Sequence, residues 1–359
     1  MDQHMFSVRE MNKILSVIVP TYNMEKYLHK CLDSLIVDLE LMKKLEVLII
    51  NDGSKDSSSI IAHKYENEYP GTFVAIDKEN GNYGSCINVG LKTAKGRYIK
   101  ILDAGDWFDN HNFAWFLEKL ENIDTDIVIS DFLHFNYNKG VVHEQCYIFP
   151  TDIIFRLSDF YPDAVIQMHA ITYRNDLLRQ MNYTQSEGIS YTDTEWFLLP
   201  LIFVKTAIYL NKSIYVYLVG RDGQTTNYRT YSLNYGQHIK VLKRIITILN
   251  RHSEYDAEQY ALYALHRNVV FMYSTLLQTY RIKVDYKDLS NFDLFLKQSK
   301  PDLYDSLNSL STFNKFPFYY VKEWRRNNYI GLNIFRVRLG ADAFVRRFWR
   351  MGKQIVERR

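Results

Sequence analysis

The chain has 359 residues, enough for one large α/β domain with an appended region or for two domains. Its hydrophobic content of 47% is ordinary for a globular protein, and its net charge is only +3. Three widely separated cysteines without a CxxC pair argue against a disulfide framework or a structural zinc site and for a reducing compartment. The first twelve residues lack the apolar run of a secretory signal, so we expect a cytoplasmic protein.

The first half of the chain alternates apolar strand segments with helical segments. Such strands are typical of a mostly parallel sheet that is covered by helices on both faces. The predicted strands are Leu15–Pro20, Leu45–Ile50, Phe73–Ile76, Arg97–Leu102 and Asp126–Ser130. The predicted helices are Glu25–Leu39, Asp56–Tyr69, Ser85–Thr93 and Asn112–Leu120. In an α/β fold of this kind, ligands bind beyond the carboxyl ends of the strands.

The second half of the chain follows a different pattern. Residues 132–183 are mixed, and residues 186–219 indicate a helix followed by a strand. After Tyr231 the chain is mainly helical, and the clearest helices are Ile239–Leu249 and Ala257–Tyr280. We therefore predict a first domain over residues 1–230 and a mainly helical C-terminal region over residues 231–359.

Polar residues follow three of the predicted strands. The segments are Pro20-Thr21-Tyr22-Asn23, Asn51-Asp52-Gly53-Ser54 and Asp103-Ala104-Gly105-Asp106. The Asp52 carboxylate suits hydrogen bonds from a ribose diol or a base N–H. Taken alone, however, its segment is more typical of a turn and a helix N-cap, with Asp56 as the cap.

Two further segments suit an anionic ligand. Asn80-Gly81-Asn82-Tyr83-Gly84-Ser85 precedes a helix, where glycines permit close approach and the helix N-terminus favours anionic groups. Asp103 and Asp106 are carboxylates of the kind that hold a divalent cation on a diphosphate. For an isolated pair, the alternative is that Asp106 caps the next helix.

Together these segments resemble the family 2 inverting glycosyltransferases. The resemblance rests on Ser16–Asn23, Ile50–Asp56, Asn80-Gly81 with Gly84 and Asn88, and Leu102–Trp107, and it extends over about residues 15–226. It implies the GT-A fold, which is a Rossmann-like, mostly parallel sheet flanked by helices, and a nucleotide-sugar donor. The donor-binding residues that the resemblance implies are Pro20, Thr21, Tyr22, Asp52, Gly81, Asp103 and Arg221.

The segment Gly188–Trp196 resembles the part of this family that usually carries Glu-Asp. Thr192 stands in the Glu place and Asp193 in the Asp place, so the resemblance implies that Asp193 is the catalytic base. Inverting transfer needs a group that takes the proton of the acceptor hydroxyl. Glu195 is the rival base, and Asp193 is alternatively an N-cap of the helix that follows.

Position 105 departs from the family pattern. Family members commonly have a metal-binding Asp where this chain has Gly105, which leaves Asp103 and Asp106. We expect Mg²⁺ or Mn²⁺ to bind through both carboxylates or through Asp103 alone, because Mg²⁺ often keeps several waters. The remaining interpretation is that Gly105 weakens or abolishes catalysis.

Two basic features lie further along the chain. Arg221 is in the loop Tyr217–Thr226, which resembles the family's loop over the diphosphate, and it pairs either with phosphate or with an acid such as Asp222. Asn333–Arg359 interleaves arginines with Phe, Trp, Ile and Val. This pattern suits a helix on an anionic membrane surface, and equally a basic helix packed on the catalytic domain. No nucleic-acid motif is present in the sequence, so we expect no nucleic-acid partner.

These features predict transfer of a sugar, favoured as a UDP-sugar, to a hydroxyl of a glycan or lipid-linked glycan. We expect the acceptor at Ala164–Arg174 and Tyr191–Trp196, where His169 either contacts it or is structural. Two other function classes stay open: a non-catalytic partner subunit that binds nucleotide or glycan, and a nucleotidyltransferase. The sequence does not identify the sugar or the acceptor, and it leaves open whether the chain forms a homo-oligomer.

Overall fold

The computed structural model describes residues 13–136, 138–140, 142–220, 228–252, 257–278, 284–312 and 318–329. Residue contacts divide the chain into two compact units. Unit 1 lies within Met1–Asp222 and Glu254–Ala261, and unit 2 lies within Gly223–Ser253 and Leu262–Arg359. The predicted domain boundary after residue 230 stays a prediction.

Unit 1 is built on a mixed sheet whose ten strands belong to its described residues. The strands are β1 (Leu15–Thr21), β2 (Leu45–Asn51), β3 (Phe73–Asp77), β4 (Tyr98–Ile101), β5 (Trp107–Phe108), β6 (Ile127–Asn136), β7 (Val142–Gln145), β8 (Ile154–Phe155), β9 (Ile171–Arg174) and β10 (Ala207–Val219). Their order is β3-β2-β1-β4-β9-β6-β10-β5, with β7 on β6 and β8 on β10. The block β3-β2-β1-β4 is parallel, as the sequence predicts, and β6 and β10 are also parallel to each other.

The parallel block carries the core of unit 1. Every residue of β1, β2 and β4 is buried, as expected for strands covered on both faces. Thr21 pairs with Asn51 at the ends of β1 and β2, and Ile18 of β1 pairs with Ile101 of β4. The segments after these three strands therefore leave the sheet at one edge.

Strand β10 shapes the other side of this edge. Its pairing with β6 shifts register between Leu210 and Tyr215, and such irregularities change the direction of the side chains that follow. Tyr215 and Val216 then pair with β5, which begins directly after Asp106. The turn from Asp103 to Asp106 is thus attached to β10, although more than a hundred residues separate them in sequence.

Seven helices of unit 1 flank or connect the strands. They are α1 (Glu25–Asp33), α2 (Leu39–Lys44), α3 (Ser58–Glu68), α4 (Asn82–Thr93), α5 (Asn110–Glu121), α6 (Asn175–Gln180) and α7 (Asp193–Leu198). The single helix predicted over Glu25–Leu39 is wrong, because α1 ends at Asp33 and a separate helix follows. Asp38 begins that second helix, since its side chain accepts hydrogen bonds from the N–H groups of Glu40 and Leu41.

Helix starts also decide two of the capping alternatives. The cap of α5 is Asp109, whose carboxylate accepts from Asn112 N at 2.9 Å, so the capping alternative for Asp106 is wrong. At α3, Asp56 accepts from Ser58 N and also from Glu25 N, each at 3.0 Å. The N-cap position of α3 belongs to Ser57, so the prediction that Asp56 is the cap is wrong, although its carboxylate stabilises the beginnings of both α3 and α1.

Unit 2 is helical in its described part. The remaining helices are α8 (Tyr228–Leu249), α9 (Glu258–Gln278, whose first residues belong to unit 1), α10 (Tyr286–Ser299), α11 (Pro301–Ser306) and α12 (Tyr320–Arg326). A buried ion pair joins Arg325 of α12 to Asp293 of α10 at 2.7 Å, and Tyr273 donates to the same carboxylate at 2.6 Å. In the described residues, none of the helices has the length and apolarity needed to cross a bilayer.

Candidate active site

Asp52 lies just after β2, at the edge of the sheet where the sequence predicts a ligand. It is buried, and its Oδ1 accepts from Lys78 Nζ at 2.7 Å and from Gly81 N at 2.9 Å. Its own N–H donates to Thr21 O at 2.8 Å, which ties it to the end of β1. An aspartate oriented by an ammonium and a backbone N–H is a preorganised hydrogen-bond acceptor for a polar ligand.

The other predicted donor residues near β1 and α4 surround this carboxylate. Pro20 and Thr21 are the last, buried residues of β1, and Tyr22 follows with 47% of its surface exposed. Gly81 is the N-cap residue of α4, and its N–H is already used by Asp52. The exposed Tyr22 ring is therefore the member of this group that offers a flat apolar face to a ligand.

Asp103 and Asp106 lie in one turn but have different surroundings. Tyr83 donates to Asp103 Oδ1 at 2.8 Å, and Asp103 N donates to the Tyr215 hydroxyl at 3.2 Å. Asp106 is 2% exposed, and its two carboxylate oxygens accept from Tyr215 OH at 2.6 Å and from Leu218 N at 2.9 Å. Asp106 thus fastens the turn to β10, while the half-buried Asp103 is more accessible.

Asp193 is the first residue of α7, and the N-cap position belongs to Thr192. The alternative that Asp193 is the cap is therefore wrong. Burial, followed by the negative charge of Asp103, raises the pKa of the Asp193 carboxyl to about 6. The structure thus brings these two carboxylates within electrostatic reach of each other, across 90 residues of sequence.

Glu195, the rival base, is fully buried. Its two oxygens accept from Ser186 N and Ser186 Oγ, both at 2.7 Å. Its carboxylate therefore holds the loop that precedes α7, a role that needs the charge to stay in place. This geometry favours Asp193 as the base.

The same loop is bound to α4. Asn88 accepts from Gln185 N at 2.8 Å and donates to Gln185 O at 3.0 Å, and Gly188 N donates to Gly81 O at 2.9 Å. At Gly84 the two segments approach so closely that an added Cβ would lie 2.0 Å from Ser186 O. Gly84 is thus required by close packing, and α4 and the loop before α7 form one assembly.

Tyr83 is bonded to Asp103 and lies within electrostatic reach of Asp193. Its hydroxyl bonds Asp103, and burial together with the charges of Asp103 and Asp193 raises the pKa of the Tyr83 phenol. Sequence reasoning missed Tyr83, Tyr215 and Lys78. Tyr83 could have been found from the sequence, because it lies inside the Asn80–Ser85 segment that is predicted to bind an anionic ligand. No sequence pattern points to Tyr215 or Lys78.

The two segments predicted to contact the acceptor contain buried polar atoms without protein partners among the described residues. His169 Nδ1 and Thr192 Oγ1 are buried, and neither has a hydrogen-bond partner among the residues that the structure describes. The ring of His169 is enclosed by Phe132, Tyr215 and Tyr217, at centroid distances of 4.9, 4.8 and 4.3 Å. Burial lowers the pKa of His169 to about 3, so its imidazole is neutral at physiological pH.

The fit of a divalent cation differs between the two aspartates. Mg²⁺ is commonly held by one or two carboxylates together with substrate phosphates and water. Asp103 suits such a site, whereas Asp106 is buried with hydrogen bonds on both oxygens. Within the described part of the chain, no third His, Cys, Asp or Glu ligand groups closely with these two. The geometry therefore favours Asp103 as the metal-binding residue and Asp106 as its support.

Two predicted features lie outside the described residues. These are Arg221, with the loop that follows it, and the basic segment Asn333–Arg359. Their roles stay predictions.

Comparison with known proteins finds similar glycosyltransferases. Residues 16–181 match the family described as Glycosyl transferase family 2. Glycosyltransferase GlyA of Streptococcus pneumoniae serotype 4 is 28% identical over 220 residues, which are 57% of this chain and 30% of GlyA. An uncharacterized glycosyltransferase of Mycoplasma pneumoniae, the MG025 homolog, is 29% identical over 226 residues, which are 59% of this chain and 70% of the Mycoplasma protein. The chain therefore spans less than a third of the length of GlyA.

The fold also matches a solved structure. The crystal structure of S. aureus TarS 1-349 in complex with UDP-GlcNAc superposes with a TM-score of 0.63 at 20% identity, covering 81% of this chain and 82% of that one. The predicted GT-A fold with C-terminal helices is thus confirmed. The predicted resemblance to the family 2 glycosyltransferases is confirmed over residues 16–181, the segment that carries Asp52, Tyr83 and Asp103.

Proposed function

We propose that this chain transfers a sugar from a nucleotide-diphosphate sugar to a hydroxyl of a glycan or lipid-linked glycan, with inversion at the anomeric carbon. One observation carries the proposal: Asp193, with a pKa of about 6, lies within electrostatic reach of Asp103 at the end of β4. A base with such a pKa is ionised at neutral pH and can still accept a proton during the reaction. The UDP-GlcNAc complex of TarS supports a UDP-sugar as the first donor to test.

In this mechanism Asp193 accepts the proton of the acceptor hydroxyl while the hydroxyl oxygen attacks the anomeric carbon. The attack comes from the face opposite the diphosphate, which inverts the configuration. The bond from the anomeric carbon to the diphosphate oxygen breaks, and its electron pair leaves with the nucleoside diphosphate. General base catalysis of this kind contributes about 10²–10⁴-fold to a rate.

The donor half of the site is proposed around Asp52. Lys78 and Gly81 N hold the Asp52 carboxylate in place, so that it accepts hydrogen bonds from the nucleoside. Tyr22 offers its exposed ring to the base, beside Pro20 and Thr21. Arg221 remains the proposed phosphate partner.

A divalent cation, Mg²⁺ or Mn²⁺, would neutralise charge on the departing diphosphate. Asp103 is the residue proposed to hold it, with Tyr83 fixing one carboxylate oxygen. Asp106 contributes by anchoring the turn to Tyr215 and Leu218. The absence of a carboxylate at Gly105 makes this cation more dependent on phosphate and water ligands.

The test is a donor screen with the purified full chain, detecting released nucleoside diphosphate with and without Mn²⁺. We expect nucleoside diphosphate to be released from at least one nucleotide-diphosphate sugar when an oligosaccharide or lipid-linked glycan is present. In Asp193→Asn we expect the rate of this release to fall by about 10²–10⁴-fold. Release of pyrophosphate would instead indicate a nucleotidyltransferase. Binding of UDP without turnover of any donor would favour the non-catalytic partner function.

We also propose that the basic segment Asn333–Arg359 brings the chain to an anionic membrane surface at the inner face of the cell membrane. Its arginines and aromatic residues suit headgroups and the acyl boundary, respectively. We expect the full chain to sediment with phosphatidylglycerol vesicles at low salt and much less at 0.5 M salt or after removal of residues 333–359. Equal sedimentation with and without the segment would contradict the proposal.

A further inference from the structure

Lys100 is a buried lysine in the middle of the sheet. It belongs to β4, three residues before Asp103, and its side chain has no exposed surface. Its Nζ donates to His169 O at 2.9 Å, to Ile171 O at 3.2 Å and to Thr172 Oγ1 at 3.4 Å. No carboxylate of the described residues lies within ion-pair distance of it, and burial lowers its pKa to about 7.

Such a residue is costly for the fold. Removing an ammonium from water costs several kcal/mol, and carbonyl acceptors recover only part of this. The core around it is apolar, and the ring centres of Phe108 and Phe116 each lie 6.0 Å from Nζ. An apolar side chain would fill the same space without this desolvation cost but would leave the carbonyls of His169 and Ile171 without their donor, so the hydrogen bonds are what Lys100 adds beyond packing.

Those hydrogen bonds hold the short turn Met168–Ala170. The turn is one of the few segments that contact β6, β10 and α7, the helix that begins at Asp193. Lys100 bonds the carbonyl in the middle of the turn and the carbonyl just after it. The position of the turn is therefore tied to β4, the strand that leads to Asp103.

The Met168–Ala170 turn also contacts two phenols, those of Tyr83 and Tyr215. Met168 Sδ lies 3.9 Å from the Tyr83 hydroxyl, and the His169 ring packs edge-on against Tyr215 at 4.8 Å. Tyr83 donates to Asp103 Oδ1, while Tyr215 bonds both Asp103 N and Asp106 Oδ2. Two paths thus lead from one ammonium to the two sides of the Asp103 turn.

We propose that Lys100 is a positioning residue, which holds the Met168–Ala170 turn so that Tyr83 fixes the Asp103 carboxylate and Tyr215 fixes the backbone of the Asp103–Asp106 turn. The inference rests on the proposed function, since it assigns Asp103 to the donor diphosphate. It assigns no contact between Lys100 and substrate.

The test compares Lys100→Met with a matched control. Lys13 also uses its Nζ to bond two backbone carbonyls, Leu45 O at 2.8 Å and Gly71 O at 2.6 Å, but it lies just before β1, at the opposite end of the strands from Asp103. Lys13→Met therefore removes a similar set of hydrogen bonds far along the strands from Asp103. Thermal unfolding of both variants reports the general loss of stability.

The first readout is amide hydrogen exchange of residues 102–107, which needs no substrate. We expect Lys100→Met to accelerate exchange at Asp103 and Asp106 by about tenfold or more, and Lys13→Met to leave it unchanged. Unchanged exchange in Lys100→Met, or the same acceleration in both variants, would overturn the positioning role.

The second readout is turnover of the donor found in the screen. Displacement of a catalytic group by about 1 Å costs on the order of 10²-fold, so we expect kcat to fall by about 10²-fold in Lys100→Met with donor KM within about threefold. A normal kcat in Lys100→Met would overturn the inference while the transferase function stands. If exchange is accelerated in Lys100→Met while the wild-type chain turns over no donor, the positioning role stands and the transferase function is contradicted.

If Lys100→Met does not fold, Tyr215→Phe and Tyr83→Phe test the same paths with the loss of one oxygen each. Both are expected to lower kcat, and the double variant to lower it by less than the product of the single effects, because both phenols bond the Asp103–Asp106 turn. Full activity in both single variants would overturn the inference.

Discussion

Asp193 and Asp103 lie within electrostatic reach of each other, and the charge of Asp103 alters the chemistry of Asp193. A negative charge nearby disfavours ionisation, which adds to the effect of burial on Asp193. A carboxylate that is hard to ionise binds protons more strongly, and this is the property that a general base needs. The like charges therefore have a use that a single aspartate on the surface would lack.

The pH dependence of transfer follows from this pKa. Asp193 accepts a proton only when it is ionised, so kcat/KM, which reports the pKa of the free enzyme, should rise as the pH increases through about 6 and level off above 7. At pH 5 we expect about one tenth of the plateau value, because a group with pKa 6 is then about one tenth ionised. The measurement is kcat/KM for the donor from pH 4.5 to 8.5.

The control for this profile is UDP binding over the same pH range. Asp193 is not assigned to the nucleoside, so UDP affinity should change little between pH 5 and 7. A flat kcat/KM profile across pH 6 would argue against Asp193 as the base.

Asp106 allows a second test at the residue scale. If it anchors the turn, Asp106→Ala removes two hydrogen bonds to a buried charge and leaves Tyr215 OH and Leu218 N without their acceptor. We expect the free energy of unfolding to fall by about 2–4 kcal/mol. Asp103→Ala should cost less stability and should abolish any Mn²⁺-dependent gain in UDP affinity. The opposite order, with a stable Asp106→Ala chain that has lost Mn²⁺ binding, would make Asp106 the ligand.

Sequence reasoning reached Asp52, Asp103 and Asp193 because each belongs to an ordered set of segments. It did not reach Tyr215 or Lys100, because their roles depend on partners that are distant in sequence. Tyr215 bonds an aspartate 109 residues away, and the partner carbonyls of Lys100 lie about 70 residues beyond it. No periodicity or motif around these residues carries that information.

At the scale of elements, strands were easier to predict than helix ends. β1 and β2 are mainly apolar, with central runs Val17–Val19 and Val47–Ile50, and such runs are typical of strands buried on both faces. The predicted helix over residues 25–39 failed because helical spacing continues beyond Asp33, while the local bonds of Ser34 and Asp38 end one helix and start another. Local side-chain bonds of this kind compete with helix continuation.

The assembly of α4 with the loop before α7 leads to the element-scale prediction. Gly84→Ala would bring a Cβ to within 2.0 Å of Ser186 O, so the loop has to move. We expect a loss of about 1–3 kcal/mol in the free energy of unfolding and a fall in kcat, since α7 carries Asp193. The measurements are urea unfolding and donor turnover.

Gly236→Ala is the matched control for this change. Gly236 lies within α8, and an added Cβ would meet nothing within 4 Å. Alanine is favoured over glycine in a helix, so this variant should gain up to about 1 kcal/mol and keep its kcat. Equal stability of the two variants would show that the close contact at Gly84 is absent in solution.

At the scale of the whole molecule, the described residues of the candidate site belong to unit 1, and unit 2 is stabilised by polar contacts of its own. Its buried ion pair is unusual in having a fully buried Asp293 that accepts from Arg325 and Tyr273. The guanidinium also stacks 3.5 Å from the centre of the Tyr304 ring. These contacts join α10, α11 and α12 through one cation.

Asp293→Leu tests how far the stability of unit 2 depends on that cation. Loss of the carboxylate leaves Arg325 buried without its counter-charge, so we expect the free energy of unfolding to fall by about 3–5 kcal/mol in urea unfolding followed by circular dichroism. Glu323→Gln removes the exposed pair with Arg326 and should cost at most about 1 kcal/mol. Because the residues proposed to bind the donor lie in unit 1, UDP affinity at a temperature where Asp293→Leu is folded should match the wild-type value. Similar stability of the two variants would mean that Arg325 reaches water in solution, and a loss of UDP affinity in Asp293→Leu would mean that the donor site depends on unit 2.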